Sequence, residues 1–368
     1  MIRPGRAPVA PRTNLRVGLD FRAPEHRREV FLRFFEFHVK HRAHPGAVYY
    51  LMPWLRDRLG WTDAETLWFA FINGNTQNPV TSLIIHRRYP GPEHADEMLR
   101  WFDSVRPTLA FDTDRRHHKT KLGDAVAGYL TLTRDGGGQA DYWRRARDGG
   151  WPSMWAAARA IPTFGRLSAF SYAEYLHLLG FGLDTDTLFL DDRDGSRSHR
   201  NGLALVLGRD DLDWHASNPS FDGVYPPDVI DWLTEEGATL LAEAQARMPG
   251  RADVSYFTME SALCTFKSWH RPNRRYPNVY NDLLYDRIRV GQKAWPDESF
   301  DLLWEARWDS LPKRLLLEEM PHDPGCVPAK QNLYREHGWV VMMDDEWSCF
   351  RNPFNRAIDQ GLLPKRPA

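Results

Sequence analysis

Thr62-x-x-Glu65 is a capping box, and the segment it opens, through Leu67, Trp68, Ala70 and Phe71, leaves almost no polar face. In such a box the Thr hydroxyl and the Glu carboxylate each satisfy a backbone N–H that the first helical turn would leave without a partner. The helix start is therefore written locally. A helix this apolar is expected to be deeply buried, and a chain of 368 residues is long enough to build a large core around it. At roughly 100–200 residues per domain, that length suits two closely packed domains or one elaborated one.

Helical spacing recurs along the chain. Val30, Phe31, Phe34, Phe35 and His38 form one stripe, and further helices are predicted over Ala95 to Val105, Leu122 to Leu132 and Ser168 to Leu179. A long amphipathic helix runs from Pro227 to Met248 with Ile230, Leu233, Leu240, Leu241 and Ala244 on its apolar face. On a predicted 256–270 helix, Tyr256, Met259, Leu263 and Phe266 form the stripe, and Glu260, Cys264, Lys267 and Arg271 share the adjacent face. The runs 188–190 and 203–207 are too short for periodicity to separate strand from buried helix. No sustained strand alternation and no repeat is found. The expected fold class is mainly α, with few short strands. The expected organisation is a flexible arm over 1–24, a helical domain over 25–135, a second over 136–300 that follows the glycine run 136–138, and a peripheral segment over 301–368.

Composition excludes several classes. Cys264, Cys326 and Cys349 are too few and too far apart for a disulfide framework or a closed zinc site. The Arg- and Pro-rich N-terminus has no apolar leader, and no apolar run approaches the ~20 residues that span a bilayer. A cytoplasmic protein with no membrane partner is expected. A net charge of -1 gives no general pull toward polyanions, so a nucleic-acid surface must come from local clusters. Two exist: residues 267–293 hold seven Lys or Arg against two Asp, and Arg115-Arg116-His117-His118-Lys119-Thr120-Lys121 is the second. Fifteen Trp, nineteen Phe and thirteen Tyr can fill a core or stack on bases.

The stretch Ile161-Pro162-Thr163-Phe164-Gly165-Arg166-Leu167-Ser168-Ala169 sets Pro and Gly directly before a helix whose first turn has small residues. It resembles the helix-hairpin-helix of base-excision DNA glycosylases, and the resemblance implies a helical core with that hairpin. There, backbone N–H groups at a helix N-terminus hold a DNA phosphate, which positions the duplex without reading sequence. Phe164, Gly165, Arg166 and Ser168 are the DNA-binding candidates. The family also carries a catalytic Asp after this helix, a place taken here by Asp184 in Gly182-Leu183-Asp184-Thr185. Asp184 as a plain helix cap is the other reading. Two departures stand out. Thr163 replaces the first hairpin glycine, and Leu167 replaces the Schiff-base lysine, which removes lyase chemistry at that position.

A wider resemblance rests on the segment from Phe71 to Pro79, the segment from Phe111 to Lys119, the Phe164-Gly165-Arg166 hairpin running to Tyr172-x-Glu174-Tyr175, and Glu260-x-x-x-Cys264-x-x-Lys267 followed by Arg274-Arg275-Tyr276-Pro277. In these the chain looks like the phage amino acid:DNA transferases, also called alpha-glutamyl/putrescinyl thymine pyrophosphorylases. That resemblance implies a base-hypermodifying transferase. It would replace the pyrophosphate of 5-(pyrophosphoryloxymethyl)uracil in DNA with an amino acid or polyamine, on a flipped base. The partners implied are double-stranded DNA carrying the activated thymine, the small amine, and an upstream hydroxymethyluracil DNA kinase. The chain has no phosphate-binding Gly-Lys-Ser/Thr loop, which fits an enzyme that uses an already activated base.

Pyrophosphate departure calls for cations where negative charge develops, and Lys267, Arg274 and Arg275 are the candidates. An amine nucleophile is protonated near neutral pH, so a carboxylate must take its proton: Asp184 first, Glu260 second. Asn75, Gln77 and Asn78, which with Asn73 close the apolar helix, offer paired donors and acceptors to a uracil edge. A helix C-cap and an Asn-Pro turn explain them equally well. Arg115, Arg116 and Lys119 complete the substrate-binding set. His117 and His118 face apart and make a poor metal pair. Residues 191–196 are acidic but read as a turn rather than a calcium loop. No cofactor is expected, with a divalent metal left open. A DNA glycosylase or lyase and a non-enzymatic DNA-binding protein are the competing readings.

Overall fold

A computed structural model describes residues 24–41, 49–188, 197–212, 225–266, 283–310, 342–343 and 346–347. The fold is mainly α, and among the described residues the only sheet is a two-residue pair, Met342–Met343 antiparallel to Glu346–Trp347. In chain order the helices are α1 (Pro24–His41), α2 (Leu51–Leu59), α3 (Asp63–Thr76), α4 (Pro79–Arg88), α5 (Ala95–Val105), α6 (Leu122–Asp135) and α7 (Gln139–Asp148). They continue as α8 (Gly150–Arg159), α9 (Arg166–Leu178), α10 (Arg197–Val206), α11 (Pro227–Arg247), α12 (Tyr256–Phe266), α13 (Leu283–Ala294) and α14 (Asp301–Ser310). The run 203–207 that periodicity left open ends α10, while residues 189–190 and the acidic turn 191–196 lie outside the described residues.

The capping box forms as expected. Thr62 Oγ1 accepts the Glu65 N–H at 3.2 Å, and Glu65 Oε2 accepts the Thr62 N–H at 2.8 Å. From Thr66 to Thr76 every residue of α3 is buried, so this helix is the axis of the first hydrophobic cluster. That cluster draws on α2 to α9 and closes against α13 and α14. A second cluster gathers α1, α10, α11 and α12, so the N-terminal helix packs with elements more than 150 positions away. Phe31 and Phe34 of α1 meet Phe266 of α12 edge-on, at 5.3 and 5.2 Å between ring centroids.

Phe257 joins the clusters. It sits on α12 but packs into the first core, 5.1 Å from Phe170 and 5.6 Å from Trp151 between ring centroids. Helices α10 and α12 cross with almost no space between backbones: a Cβ added at Gly202 would lie 2.2 Å from the Leu263 carbonyl oxygen. Between the clusters, one face of α9 meets α10 and α12, and buried Arg166, Glu174, His199 and Glu260 lie there. Among the described residues no helix is long and apolar enough to cross a membrane.

Candidate active site

Between α8 and α9 the tight backbone position falls to Thr163. Its φ of 74° puts a β-branched residue in the left-handed region that glycine ordinarily occupies. Helices α8 and α9 therefore turn sharply about Pro162 and Thr163. Pro162 is seated on α6, where a Cβ added at Gly128 would come 2.1 Å from its ring. Phe164 is packed against Tyr172 and Phe71, close enough to Gly74 that an added Cβ there would meet its ring at 3.0 Å.

His118 ties this hairpin to the end of α3. Its Nε2 lies 3.1 Å from Ser168 Oγ, and its Nδ1 lies 3.3 Å from both Asn75 Oδ1 and Thr163 Oγ1. Burial, with Arg115 nearby, lowers its pKa to about 3, so the ring is neutral. Arg115 does the parallel work for the backbone, donating to the Gly74 carbonyl at 3.1 Å and to the Leu167 carbonyl at 3.2 Å.

Of the residues expected at the DNA-binding hairpin, Phe164, Arg166 and Ser168 turn their side chains inward. All three are buried, and Arg115 is likewise spent on carbonyls inside the protein. What the hairpin exposes is Gly165 and Leu167, the latter 46 % exposed, at the start of a helix that no side chain caps.

Arg166, Phe170, Glu174 and His177 repeat at helical spacing along the α9 face that meets the second cluster. Arg166, 5 % exposed, stacks its guanidinium 4.9 Å over Phe170 and places Nη1 3.5 Å from Glu260 Oε1 on α12. His199 of α10, fully buried, brings Nδ1 to 3.0 Å from the same oxygen, while its Nε2 lies 3.5 Å from Arg166 Nη2. At Nε2 the ring meets an arginine, which has only protons to give. Burial opposes the charge on Glu260, but His199 and Arg166 outweigh it and hold the carboxyl below its ordinary range. Burial holds His199 below its own ordinary value, so the ring is neutral near pH 7.

Asp184 is turned toward the start of α12. Its two carboxylate oxygens accept the backbone N–H groups of Tyr256 and Phe257, each at 3.3 Å, and so cap α12 from across the chain. Burial raises its pKa, which His177 and the capping N–H groups only partly offset. It is the alternative reading, a helix cap, that the geometry realises, though for α12 and not for the next helix in sequence. Of the two acids expected to take a proton, it is Glu260 that stands beside an arginine and a histidine.

The amides separate. Asn78 caps α4, its Oδ1 accepting from Val80 N at 3.1 Å and Thr81 N at 3.3 Å, and Asn75 Nδ2 donates to the Phe71 carbonyl at 3.0 Å. Both are thus committed to holding helix ends. Gln77, in the left-handed region at φ 48°, donates to the Tyr49 hydroxyl at 3.1 Å, and Tyr49 packs on Tyr175 of α9. Gln77 is the amide that reaches the α9 face. Arg116 is exposed, and Lys119 donates to the Leu109 carbonyl at 2.6 Å. Lys267, Arg274 and Arg275 lie outside the described residues. Among the described residues no three His, Cys, Asp or Glu side chains gather as a metal site.

Glu174, His199, His118 and Tyr49 enter the site without any role assigned from sequence. Glu174 had a readable signal: it is the lone acid in a run of α9 that is buried at every position from Ser168 to Leu176. His199 had none, since its partners lie on α9 and α12.

The amino acid:DNA transferase family matches residues 53–275 of this chain, well over half of it. A serinyltransferase of Salmonella phage ViI is 27 % identical over 358 residues, covering 90 % of this chain and 87 % of that protein. No solved structure matches.

Proposed function

Because the chain belongs to the amino acid:DNA transferase family, we propose that it replaces the pyrophosphate of a 5-(pyrophosphoryloxymethyl)uracil in DNA with an amine, on a base turned out of the duplex. The observation that carries this reading is the buried polar seam between α9 and α12, where Glu174, Asp184 and Glu260 stand with Arg166, His177 and His199. An amine becomes a nucleophile only after losing a proton, and carboxyls whose pKa values differ by environment divide proton acceptance from charge fixation. Glu260, held ionised by its partners, fixes Arg166 and His199. Asp184 and Glu174, both pushed upward by burial, are the better proton acceptors.

The other substrate is bound from the hairpin side. The uncapped start of α9 at Gly165 seats a backbone phosphate, and exposed Arg116 and Lys121 add charge beside it. Lys267, Arg274 and Arg275 take the pyrophosphate, whose oxygens suit arginine forks. Gln77 reads the imide edge of the turned-out base. Activation of the base belongs to a separate hydroxymethyluracil DNA kinase. Since the phage relative is called a serinyltransferase, serine is the first amine to test.

Mass spectrometry of nucleosides decides it, after the protein is mixed with kinase-activated hydroxymethyluracil DNA and a panel of amines. The expected product is a nucleoside heavier by the amine, with release of pyrophosphate. Free base in solution would mean a glycosylase, and unchanged nucleosides with every amine would end the transfer reading.

A further inference from the structure

Glu174 is the acid whose surroundings are least complete. It is 6 % exposed and sits in mid-helix on α9. No described residue gives it a hydrogen bond or an ion pair; Glu260 and Asp184, its charged neighbours, are acids themselves. Beside it the Tyr175 hydroxyl is also buried, with the Tyr49 hydroxyl as its polar neighbour. The Tyr175 ring packs edge-on against Tyr49, 4.5 Å between centroids, and both rings lie within electrostatic reach of Glu174. Native chains seldom leave a buried carboxyl without a partner.

The chemistry of the missing partner follows from the signs around it. Glu174, Asp184 and Glu260 repel an anion, and Arg166 and His199 are already engaged by Glu260. The ligand is therefore a cation. The three acids do not converge as a set of metal ligands, whereas two tyrosine rings beside a carboxyl suit an ammonium, which is drawn to a ring face and donates to phenol and carboxylate oxygens.

We propose that Glu174, with Tyr175 and Tyr49, is the seat of the ammonium group of the amine substrate, and that its carboxylate takes the proton that frees the amine for attack. The proposal rests on the transfer reading above and adds the site of the second substrate to it. Burial and the neighbouring acids hold the Glu174 carboxyl well above its ordinary range, which favours the protonated acid in the empty site. Docking of an ammonium then ionises Glu174 and expels its proton to solvent. In the reaction an ammonium proton passes to the Glu174 carboxylate. The freed nitrogen lone pair forms the C–N bond to the methylene carbon, and the C–O bond breaks with its electron pair leaving on pyrophosphate. The new nitrogen keeps two protons and a positive charge, one of which solvent can remove. The titratable groups that face Glu174 are Glu260 of α12, Asp184 of the loop after α9, and Tyr49 and Tyr175. Arg166 and His199 stand behind Glu260, and Arg115 and Arg287 lie beyond the two tyrosines.

Calorimetry tests this on the full chain, with serine and putrescine as probes in two buffers of different ionisation enthalpy near neutral pH. The expected result is binding of at least one probe with release of about one proton, the count for one displaced carboxyl proton. Glu174→Gln, which imitates the neutral acid, should bind that probe at least tenfold more weakly, about 1.4 kcal/mol, and release no proton. Glu174→Asp should keep proton release at reduced affinity, which separates loss of the carboxyl from loss of the fold. Wild-type protein that binds neither amine, or a Gln variant that matches it in affinity and proton count, overturns the proposal. Amine binding with proton release but no new nucleoside sinks the transfer reading and leaves the ammonium seat standing. A new nucleoside formed by wild type and the Gln variant with equal KM for the amine does the reverse.

Discussion

Arg166 Nη1 and Glu260 Oε1 lie 3.5 Å apart across 94 positions of sequence, both buried, and this contact bridges the helix that opens at the hairpin to the helix that carries the second core. Ionised side chains taken out of water need each other more than the fold needs them. Removing one partner, in Arg166→Ala or Glu260→Ala, should cost about 3–5 kcal/mol in urea unfolding. Replacing both with apolar residues of like volume should cost clearly less. A loss in the double variant equal to the sum of the two single losses would mean that the pair is not formed.

The same contact sets an acid limit. The folded-state pKa of Glu260 is lowered, so its contribution to stability is present above its ordinary value of 4.5 and is lost as pH falls through the folded value. Wild-type stability measured in urea should fall as pH drops below 4.5 more steeply than that of Glu260→Gln. Parallel curves would contradict this.

Glu174 has the opposite sign. Its folded pKa is raised, so the unfolded chain gives up this proton first and stability declines as pH climbs above the ordinary value of 4.5. Glu174→Gln should therefore melt higher than wild type at neutral pH, and the difference should vanish on acidification. A lower melting temperature near pH 7 would show that the neutral acid is not the resting state.

Asp184 separates two roles by one substitution. An Asn can still accept N–H groups at a helix start, so Asp184→Asn should keep stability, whereas Asp184→Ala should lose about 0.5–2 kcal/mol through the exposed end of α12. If capping is the whole contribution, the Asn variant retains product formation in the nucleoside assay. A fall of about 100-fold or more in that assay, with stability kept, would instead mark Asp184 as a proton acceptor.

Gly202 and Gly74 rank the two close approaches. At Gly202 the added Cβ meets backbone at 2.2 Å, which no rotamer can relieve, and at Gly74 it meets the Phe164 ring at 3.0 Å, which can shift. Gly202→Ala should cost more than the ~1–3 kcal/mol expected of an overpacked side-chain contact at Gly74→Ala. Because His199 is on the same helix, one turn before Gly202, the Gly202→Ala variant should also lose activity through displacement of His199 from Glu260. Thermal unfolding of both variants beside the nucleoside assay checks the order.

Thr163→Gly tests the hairpin. A left-handed non-glycine residue costs roughly 1–2 kcal/mol, against about 0.5–1.5 kcal/mol for the hydroxyl contact to His118 that glycine would lose. The variant should be as stable as wild type or slightly more so. A loss beyond ~2 kcal/mol would mean that the His118 contact, not backbone geometry, holds the turn.

Much of the helical frame was legible before any coordinates. The capping box at Thr62, the limits of α5, the long α11 and the buried stripe of Met259, Leu263 and Phe266 all follow from hydrogen-bonding and periodicity within a few residues. The turn between α8 and α9 could be placed from Pro162 and Gly165, although it is Thr163 that takes the left-handed position. The side-chain roles were less accessible. Phe164 and Ser168, read as DNA-binding, and Arg115, read as substrate-binding, have buried side chains, and Asp184 caps a helix that begins 72 positions later.

Capping, apolar stripes and turn chemistry were settled by the sequence on its own, because each depends on groups that chain connectivity already keeps together. Which charged side chains meet solvent, a helix end or one another was decided only when α9, α10 and α12 came into register. The cost of burying Arg166, Glu174 or Glu260 depends on the dielectric and the charges supplied by other segments, and no local pattern carries that quantity.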